Sequence, residues 1–318
     1  MGRGGSVEDV LAKRFGGKVR FGEPMARYTT WRIGGPADAM VFPESENDVR
    51  DLVVLLNDYD TDWFVLGGGS NLLVLDGGIR GVVISPAPGL TDISRSPLAG
   101  GAKIRVQAGA SLASVCRFAA DKGLSGLAFA AGIPGTVGGA VMMNAGIPGA
   151  EMSDVVSEIG IIGPEGEKMS IGRHELDFSY RRLGLPPKAA GRPGRPGIIV
   201  SAVLTLRKGD AGVLRRETED ILARRKQSQP GGMTAGSVFK NPSGGPAAGR
   251  LIDGAGLKGY TAGGAAVSRK HANFIVNRGG ASASDVLELM EIIRRRVKGA
   301  SGIELEPEVR VVGEAKQA

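Results

Sequence analysis

Cysteine is nearly absent from this 318-residue chain, in which Cys116 stands alone. That count excludes an intrachain disulfide and a cluster of thiolate metal ligands. Histidine is also scarce, with only His174 and His271, so a multi-histidine site is not expected and no metal is predicted. Cys116 falls on the apolar stripe of a predicted helix, which indicates core packing and argues against a nucleophile.

Aromatic residues form only 5% of the chain, too few for a platform on which nucleic-acid bases stack. The net charge is +7, but Lys and Arg are spread along helical patterns that also carry acids. We therefore expect no nucleic-acid partner, and we interpret the positive charge as attracting a small anionic substrate. A basic nucleic-acid-binding or scaffold protein remains the alternative from a different class.

Long apolar runs are missing as well. No segment approaches the roughly 18 consecutive apolar residues of a membrane helix, and the N-terminal region lacks a signal-peptide pattern. These features predict a cytoplasmic protein without membrane insertion, and we expect a monomer.

Glycine, in contrast, is abundant, with 52 residues. The densest stretch runs from Ala130 to Gly149, reads A-A-G-I-P-G-T-V-G-G-A-V-M-M-N-A-G-I-P-G, and carries no charge. Backbone without side chains lets a ligand come close and exposes N–H groups to anions. This glycine wall, as we call residues 130–149, predicts one side of a diphosphate-bearing cofactor site. A buried packing loop is the alternative that the stretch alone leaves open.

A second glycine-rich turn follows a predicted strand. From Trp63 to Val74 the chain reads W-F-V-L-G-G-G-S-N-L-L-V. The turn suits phosphate binding by backbone N–H groups, but it is not the dinucleotide fingerprint, which needs G-x-G-x-x-G at the start of a helix. Here a further strand, Gly81–Ile84, follows instead. A tight hairpin is the alternative interpretation.

Apolar residues at helical spacing predict several amphipathic helices. Ser45 and Ser111 are expected N-caps, and Gly123 is an expected C-terminal stop. The buried stripes are predicted at Val7, Val10, Leu11 and Phe15; Val49, Leu52, Val53 and Leu56; Leu112, Val115, Cys116 and Ala119; Leu214, Ile221 and Leu222; and Val286, Leu289, Met290, Ile293 and Val297.

Short strands alternate irregularly with these helices, which predicts a mixed α+β fold. A hairpin is expected from Val155–Ile162 and Lys168–Ile171, and further strands over Ile198–Leu206 and Ile303–Val312. The Pro- and Gly-rich segment Leu185–Gly197 predicts a surface loop.

Separated motifs follow one another in a fixed order along the chain. The motifs are T-T-W-R-I-G-G-P-A from Thr29, L-G-G-G-S-N-L-L-V from Leu66, A-G-I-P-G-T-V-G-G-A-V-M-M-N-A-G in the wall, Y-R at Tyr180, G-S-V-F-K-N-P from Gly236, and E-P-E-V-R from Glu306. Together they resemble the family of UDP-N-acetylenolpyruvoylglucosamine reductases, flavoenzymes of peptidoglycan precursor synthesis. The resemblance extends from about Thr29 to Val312.

The resemblance implies a two-lobed FAD-binding domain of the PCMH (vanillyl-alcohol-oxidase) type, followed by a smaller α+β substrate-binding domain. The expected boundaries are 1–86 and 87–208 for the two lobes, 209–302 for the substrate-binding domain and 303–318 for a C-terminal strand and tail. The strand 303–313 is expected to rejoin the first lobe.

By the same resemblance the cofactor is FAD, and NADPH is the co-substrate. FAD is expected to be noncovalent, because neither glycine-rich segment contains a histidine to which it could be attached. The residues assigned to FAD are Arg32, Gly67, Gly68, Gly69, Ser70, Asn71, Ala131, Gly132, Gly135, Thr136, Gly139, Ala140, Asn144 and Ala145.

The implied reaction passes hydride from NADPH to FAD and on to C3 of an enolpyruvyl ether on a UDP-sugar. Hydride addition builds negative charge on the adjacent carboxylate, so the site needs a fixed cation and a proton donor. Matched motif by motif, Arg181 is the cation, Ser237 donates the proton to C2, and Glu308 acts with Arg181 on the enolate. From the residues alone, Arg182 and Glu306 remain rivals of Arg181 and Glu308.

A UDP-sugar also implies a polar, basic lining in the C-terminal region. Lys240 and Asn241 follow the serine directly and are the first candidates; the weaker ones are Arg225, Tyr260, His271 and Asn273. Two features depart from the family: Leu183 stands where a serine is common, and the 185–197 loop is longer and richer in proline. Another flavoprotein of the same fold, such as a sugar or lactone oxidase, is the rival enzyme.

Overall fold

The fold comes from a computed structural model, and residues 5–316 are described. Helices in this range are α1 Val7–Phe15, α2 Glu46–Asp58, α3 Leu112–Asp121, α4 Val137–Met142, α5 Pro187–Ala190, α6 Ala211–Ser228, α7 Ala248–Gly254 and α8 Ala283–Ser301. Over the same residues, no helix combines the length and the apolar character needed to cross a bilayer.

Strands are short and scattered between these helices, which confirms the predicted α+β class. They are β1 Val19–Pro24, β2 Pro36–Val41, β3 Trp63–Val65, β4 Leu72–Val74, β5 Ile79–Ile84, β6 Ile93–Leu98, β7 Gly101–Gln107, β8 Leu124–Ser125, β9 Gly146–Ile147, β10 Ala150–Glu151, β11 Val156–Ile162, β12 Lys168–Gly172, β13 Asp177–Ser179, β14 Arg182–Gly184, β15 Ile198–Lys208, β16 Thr261–Ala262, β17 Ala265–Val267, β18 Ile275–Asn277 and β19 Arg310–Val312.

The chain divides into two compact units, each assembled from separate segments. The first unit takes the chain up to Phe21, Ala39–Gly68 and Gly81–Ala223. The second takes Gly22–Asp38, Gly69–Arg80 and the chain from Arg224 onward. The sequence-based boundaries differ from this division, because they assign the T-T-W-R motif to the N-terminal lobe.

Tryptophan 31 explains why that motif belongs to the second unit. Its side chain is fully buried in a core with residues of β17, β18 and α8. The indole Nε1 donates to the carbonyl of Ile275 at 2.8 Å, and Asn277 Nδ2 donates to the Trp31 carbonyl at 2.9 Å. These contacts join residues that are far apart in the chain, so local sequence patterns do not reveal them.

The larger core of the first unit lies on a sheet of order β12-β11-β15-β7-β6. The long central strand β15 pairs antiparallel with both neighbours, so that Ala202 faces Ile159 on one side and Val106 on the other. The sequence did not predict β6, whose residues are largely exposed. It is an edge strand, and a proline such as Pro97 is tolerated at an edge.

A second core of the first unit gathers α1, α2 and the parallel pair β3–β5. The predicted stripe of α2 is confirmed, since Val49, Leu52, Val53 and Leu56 are all buried. The stripes of α3 and α8 are confirmed in the same way. In α1, Leu11 and Phe15 are buried. Burial also raises the pKa of the Cys116 thiol to about 12, as its predicted place in a core implies.

The predicted stripe of α6 is wrong in part. Leu214 is buried, but Leu222 is 45% exposed. Charged residues separate the few apolar ones of this helix, so they form no continuous stripe that could pack on a core. The final strand is shorter than expected, because Arg310–Val312 alone forms the ladder with Leu72–Val74 of β4, whereas Pro307 makes an isolated bridge to Phe239.

The proline-rich segment 185–197 is part of the first unit and is bonded to the chain that follows α2. The Arg195 guanidinium pairs with Asp60 and, at 3.2 Å, with Asp62, and its side chain is only 10% exposed. The Trp63 backbone N–H donates to Gly194 O at 2.7 Å, and its indole donates to Pro196 O at 3.0 Å. The segment is therefore held by charge and backbone bonds, although its composition is typical of a surface loop.

Replacing Arg195 by Ala is expected to destabilise the first unit by about 1.5–3 kcal/mol, the usual contribution of a hydrogen bond to a charged group. Because Asp60 and Asp62 are largely exposed, water replaces the lost partner and limits the cost. Urea unfolding checks the value. Arg192→Ala is the matched control, since that side chain is 59% exposed and lies near the same carboxylates. Equal losses in the two variants would contradict this account.

Candidate active site

Two glycine-rich segments meet in the first unit. A Cβ on Gly68 would lie 2.6 Å from the Cα of Gly135, and a Cβ on Gly67 would lie 2.9 Å from Thr136 Oγ1. Both distances are shorter than real Cβ contacts, so only glycine permits this approach. The start of the glycine turn thus packs directly against the glycine wall, with backbone on backbone at Gly68 and Gly135.

The wall is anchored to the end of β7 and the start of α3. Leu112 N donates to Gly135 O at 3.0 Å, and Gly138 N donates to Ala108 O at 2.9 Å. Gly132 and Gly135 have φ of 74° and 121°, which other residues rarely adopt. Thr136 caps α4 through its hydroxyl, which accepts from Gly139 N at 3.4 Å.

The wall residues assigned to FAD differ in exposure. Gly132 is exposed, and Gly135, Gly139 and Ala145 are half-buried. Ala131 and Ala140 are buried, so they contribute mainly to the shape of the wall.

The end of the wall bonds to the turn that carries Arg181. Arg181 Nη2 donates to the carbonyl of Gly146 at 3.2 Å, and its guanidinium lies 4.7 Å from the centre of the Tyr180 ring. Arg182, its rival, is exposed and lies in β14. Leu183, which replaces the common serine, is buried in the core. Of the two arginines, Arg181 is therefore the one that the wall orients.

Several candidate site residues have a strained backbone conformation. Among residues 5–316, the non-glycine residues with positive φ are Arg32, Asp60, Asn144 and Arg181. Such a conformation costs about 1–2 kcal/mol for an ordinary residue, and strain of this kind concentrates at functional sites. All but Asp60 are residues that the sequence analysis assigned to a site.

Arg32 lies in the second unit, where it is exposed, and its Nη1 donates to Arg27 O at 3.1 Å. In the same unit a Cβ on Gly69 would lie 1.9 Å from Tyr28 O, so this position also requires glycine. Ser70 is half-buried beside it. The Thr30 N–H donates to Gly69 O at 3.1 Å, which joins the T-T-W-R motif to the glycine turn.

Ser237 and Glu308 are brought together in the second unit. Their segments run antiparallel, with Phe239 opposite Pro307. The Glu308 N–H donates to the carbonyl of Val238, the residue after Ser237, at 2.8 Å. Asn71 Nδ2 donates to Glu308 O at 3.1 Å. Arg181 belongs to the first unit.

Asn273 holds the serine segment from the other side. Its Oδ1 accepts from Phe239 N at 3.0 Å, and its Nδ2 donates to Phe239 O at 2.8 Å. Its own carbonyl accepts from Val238 N at 2.9 Å. Because the side chain is buried and bonded at both ends, the geometry of Asn273 favours support of the Ser237 segment over contact with a substrate.

Ser237 lines a cleft of about 370 Å³ in the second unit. Asn241, His271 and Asn273 also line it, as do Arg250, Lys258 and Lys270, which the sequence analysis did not assign. Lys258 lies in the stretch G-L-K-G-Y and Lys270 in S-R-K-H, but lysines are common on surfaces and nothing local distinguishes these two. Lys258 forms an ion pair with Asp253 at 2.6 Å.

The other substrate candidates are not among the residues that line this cleft. Lys240 forms an ion pair with Glu306, the rival of Glu308, so that both charges are engaged. The ring of Tyr260 lies 5.7 Å from the Arg296 guanidinium. Arg225 is half-buried near the end of α6, and burial lowers the pKa of its guanidinium. Asn241, which does line the cleft, accepts a hydrogen bond through Oδ1 from Ala248 N at 3.0 Å. Its amide therefore lies at the start of α7.

The pKa of His271, which lines the cleft, is shifted from its ordinary value. Burial lowers its pKa below 6.5, and the positive charge of Lys258 lowers it further. Nδ1 accepts a hydrogen bond from Asn273 N at 3.2 Å, so the neutral ring carries its proton on Nε2. Among residues 5–316, no group of three or more His, Cys, Asp or Glu side chains could hold a metal.

Two family models match the chain. The model described as FAD binding domain matches residues 37–172, which contain the glycine turn and the whole wall, and it defines the class as a flavoprotein. The model described as UDP-N-acetylenolpyruvoylglucosamine reductase, C-terminal domain, matches residues 227–312, which contain Ser237 and Glu308.

Similar proteins span nearly the whole chain. UDP-N-acetylenolpyruvoylglucosamine reductase of Desulfosudis oleivorans is 47% identical, with 96% of this chain and 97% of the relative covered. The protein of that name from Bacillus subtilis is 43% identical, with 96% and 98% covered. The crystal structure of the Thermus caldophilus reductase is 37% identical and matches with a TM-score of 0.74, covering 91% of this chain and 97% of that chain. The chain belongs to the UDP-N-acetylenolpyruvoylglucosamine reductase family and is an FAD-dependent oxidoreductase.

We expect the stability of the protein to fall as the pH drops from 7 to 5, in part because of His271. Its pKa is lower in the folded state than in the unfolded state, so below about 6.5 the unfolded state binds more protons. The loss begins near that pH and is complete below the lowered folded pKa. Thermal melting of His271→Gln at several pH values should show a shallower decline. Replacing the exposed His174 by Gln is the control, and an unchanged slope in His271→Gln would contradict the assignment.

Proposed function

We propose that this protein reduces UDP-N-acetylglucosamine enolpyruvate to UDP-N-acetylmuramate with NADPH, a cytoplasmic step of peptidoglycan precursor synthesis. The observation that carries the proposal is the placement of Ser237. It lines a cleft that also presents Arg250, Lys258 and Lys270, and its segment is paired with the Glu308 segment. Cationic side chains suit the diphosphate of a UDP-sugar, and a serine hydroxyl can donate a proton.

The glycine surface fits the diphosphate of FAD. Gly68 and Gly132 present exposed backbone without a Cβ, and the wall carries no carboxylate that would repel an anion. When bound and reduced by NADPH, FAD would supply the hydride that reduces the enolpyruvyl double bond. The residues that we propose to hold it are Arg32, residues 67–71 of the glycine turn, and Gly132, Gly135 and Gly139 of the wall.

Arg181 is the proposed cation beside the substrate carboxylate. Hydride addition at C3 adds a second negative charge, shared by C2 and the carboxylate, and a preorganised guanidinium stabilises this doubly charged group more than the singly charged substrate carboxylate. The Gly146 carbonyl and the left-handed turn restrict Arg181, so little reorganisation is needed during the reaction.

Ser237 is the proposed proton donor to C2. A serine hydroxyl is a weak acid, but the carbon of an enolate is basic enough to accept its proton. Backbone bonds to Asn273 and Glu308 fix the neighbouring residues Val238 and Phe239, which limits where the hydroxyl can lie. Glu308 is proposed to act with Arg181 on the developing enolate.

The purified protein should be yellow, and anaerobic NADPH should bleach the flavin absorbance near neutral pH. Subsequent addition of the enolpyruvyl UDP-sugar should restore the absorbance, because the substrate reoxidises the cofactor. A flavin that NADPH does not bleach would favour the oxidase alternative. A colourless protein that binds DNA with a steep salt dependence would favour the scaffold alternative.

Ser237→Ala should leave the rate of flavin bleaching by NADPH unchanged and slow reoxidation by the substrate about 10²–10⁴-fold, the usual contribution of a general acid. Stopped-flow absorbance measures the two half-reactions separately. Ser243→Ala, an exposed serine in the following loop, is the control and should change neither rate. Normal reoxidation in Ser237→Ala would remove this residue from the role of acid.

A further inference from the structure

The side-chain amide of Asn144 forms hydrogen bonds through both its nitrogen and its oxygen. The predicted role of Asn144 in binding FAD does not explain these bonds. We infer that Asn144 is a positioning residue for Arg181, which it holds by linking the glycine wall to the Arg181 turn. The inference rests on the proposed function, because only there does Arg181 have a catalytic role.

The Asn144 side chain is directed entirely into protein. The residue has no exposed surface, its Nδ2 donates to Ser179 O at 3.1 Å, and its Oδ1 accepts from Ser153 N at 3.0 Å. A residue without accessible surface offers a cofactor nothing to contact. Both ends of the amide instead connect backbone segments that follow the wall in the chain.

Ser179 is the residue from which the Arg181 turn begins. It ends β13 and pairs with Arg182 of β14, so Tyr180 and Arg181 are the two turn residues of a hairpin. Arg181 has a φ of 58°, at the turn position where glycine or asparagine is usual. An arginine in this conformation needs support from its surroundings, and Asn144 grips the carbonyl immediately before the turn.

The second link runs in the opposite direction. Arg181 Nη2 donates to the carbonyl of Gly146, two residues beyond Asn144 in the wall. Gly146 is itself fixed by pairing with Glu151 in the β9–β10 hairpin. The Asn144 side chain of the wall therefore bonds to the backbone of the turn, and the Arg181 side chain of the turn bonds to the backbone of the wall. Loss of Asn144 removes the side-chain link from the wall to the backbone of the turn.

Asn144→Asp tests this arrangement at constant size. The aspartate tolerates positive φ, but it presents a carboxylate oxygen to the Ser179 carbonyl where the amide donated a proton. Asn57→Asp is the matched control. Asn57 Nδ2 also donates to a backbone carbonyl of the first unit, Pro164 O at 2.7 Å, but that link joins α2 to the β11–β12 turn.

The first readout needs no turnover. Limited trypsin digestion of the FAD-loaded protein, followed by mass spectrometry, measures cleavage after Arg181 and Arg182. We expect Asn144→Asp to be cut there at least about tenfold faster than wild type, since local opening becomes easier when a hairpin loses its support. Asn57→Asp should be cut at the wild-type rate. Equal cleavage of Asn144→Asp and wild type would overturn the inference.

The second readout separates positioning from general loss of structure. In Asn144→Asp, reoxidation by the enolpyruvyl substrate should slow about 10–100-fold, the effect of a small misplacement of a catalytic group, while bleaching by NADPH stays near wild type. In an Arg181→Ala background the same change should have almost no further effect on reoxidation, because the group it positions is gone. Fully multiplicative effects of the two substitutions would overturn the inference.

Asn144→Gly covers the case in which the aspartate variant does not fold. Glycine accepts the backbone conformation but removes both amide bonds, so it should share the faster cleavage and the slower reoxidation. Wild-type behaviour of Asn144→Gly would show that the position serves backbone conformation only, against the inference. If wild-type protein itself fails to reduce the substrate, the proposed function fails, and the trypsin comparison still decides whether Asn144 supports the turn.

Discussion

The backbone contact between Gly68 and Gly135 is the constraint on which the rest of the first unit's site depends. At a distance of 2.6 Å from Gly135 Cα, a Cβ on Gly68 would force the two segments apart. The same absence of side chains that permits the contact leaves a surface of peptide groups, which is what a diphosphate needs. Asn144 stands near the end of the wall, and its hydrogen bond to Ser179 O links the wall to the Arg181 turn.

Within each unit, asparagine amides connect separate loops. Asn144 bonds to Ser179, Asn273 to Phe239, and Asn71 to the Glu308 carbonyl. Each of these backbone partners lies at, or two residues from, a proposed catalytic residue. An amide can donate and accept at once, so a single buried asparagine satisfies a carbonyl and an N–H that irregular segments would otherwise leave unpaired. Precision at the proposed site thus comes from loops that side chains hold in place.

The amphipathic helices could be predicted because their signal is local. In α2 and α8 a serine cap and a regular apolar stripe agree, and both helices form as expected. Prediction failed where tertiary contacts determine the structure. Leu222 does not pack on a core and stays exposed, and β6 forms because it pairs with the edge of β7. The 185–197 segment has the composition of a loop, yet Arg195 finds carboxylates on the chain after α2.

The sequence by itself determined the chemical inventory: glycines where side chains cannot be accommodated, one buried thiol, and the motifs that carry Arg181, Ser237 and Glu308. Only the tertiary structure decided what the asparagines and lysines do. Asn144 meets its partner 35 residues away, Asn273 meets Phe239 across 34, and Asn71 meets Glu308 across 237. The physical reason is that a hydrogen-bond partner is chosen by three-dimensional proximity, whereas local pattern reports only on neighbours within a few residues.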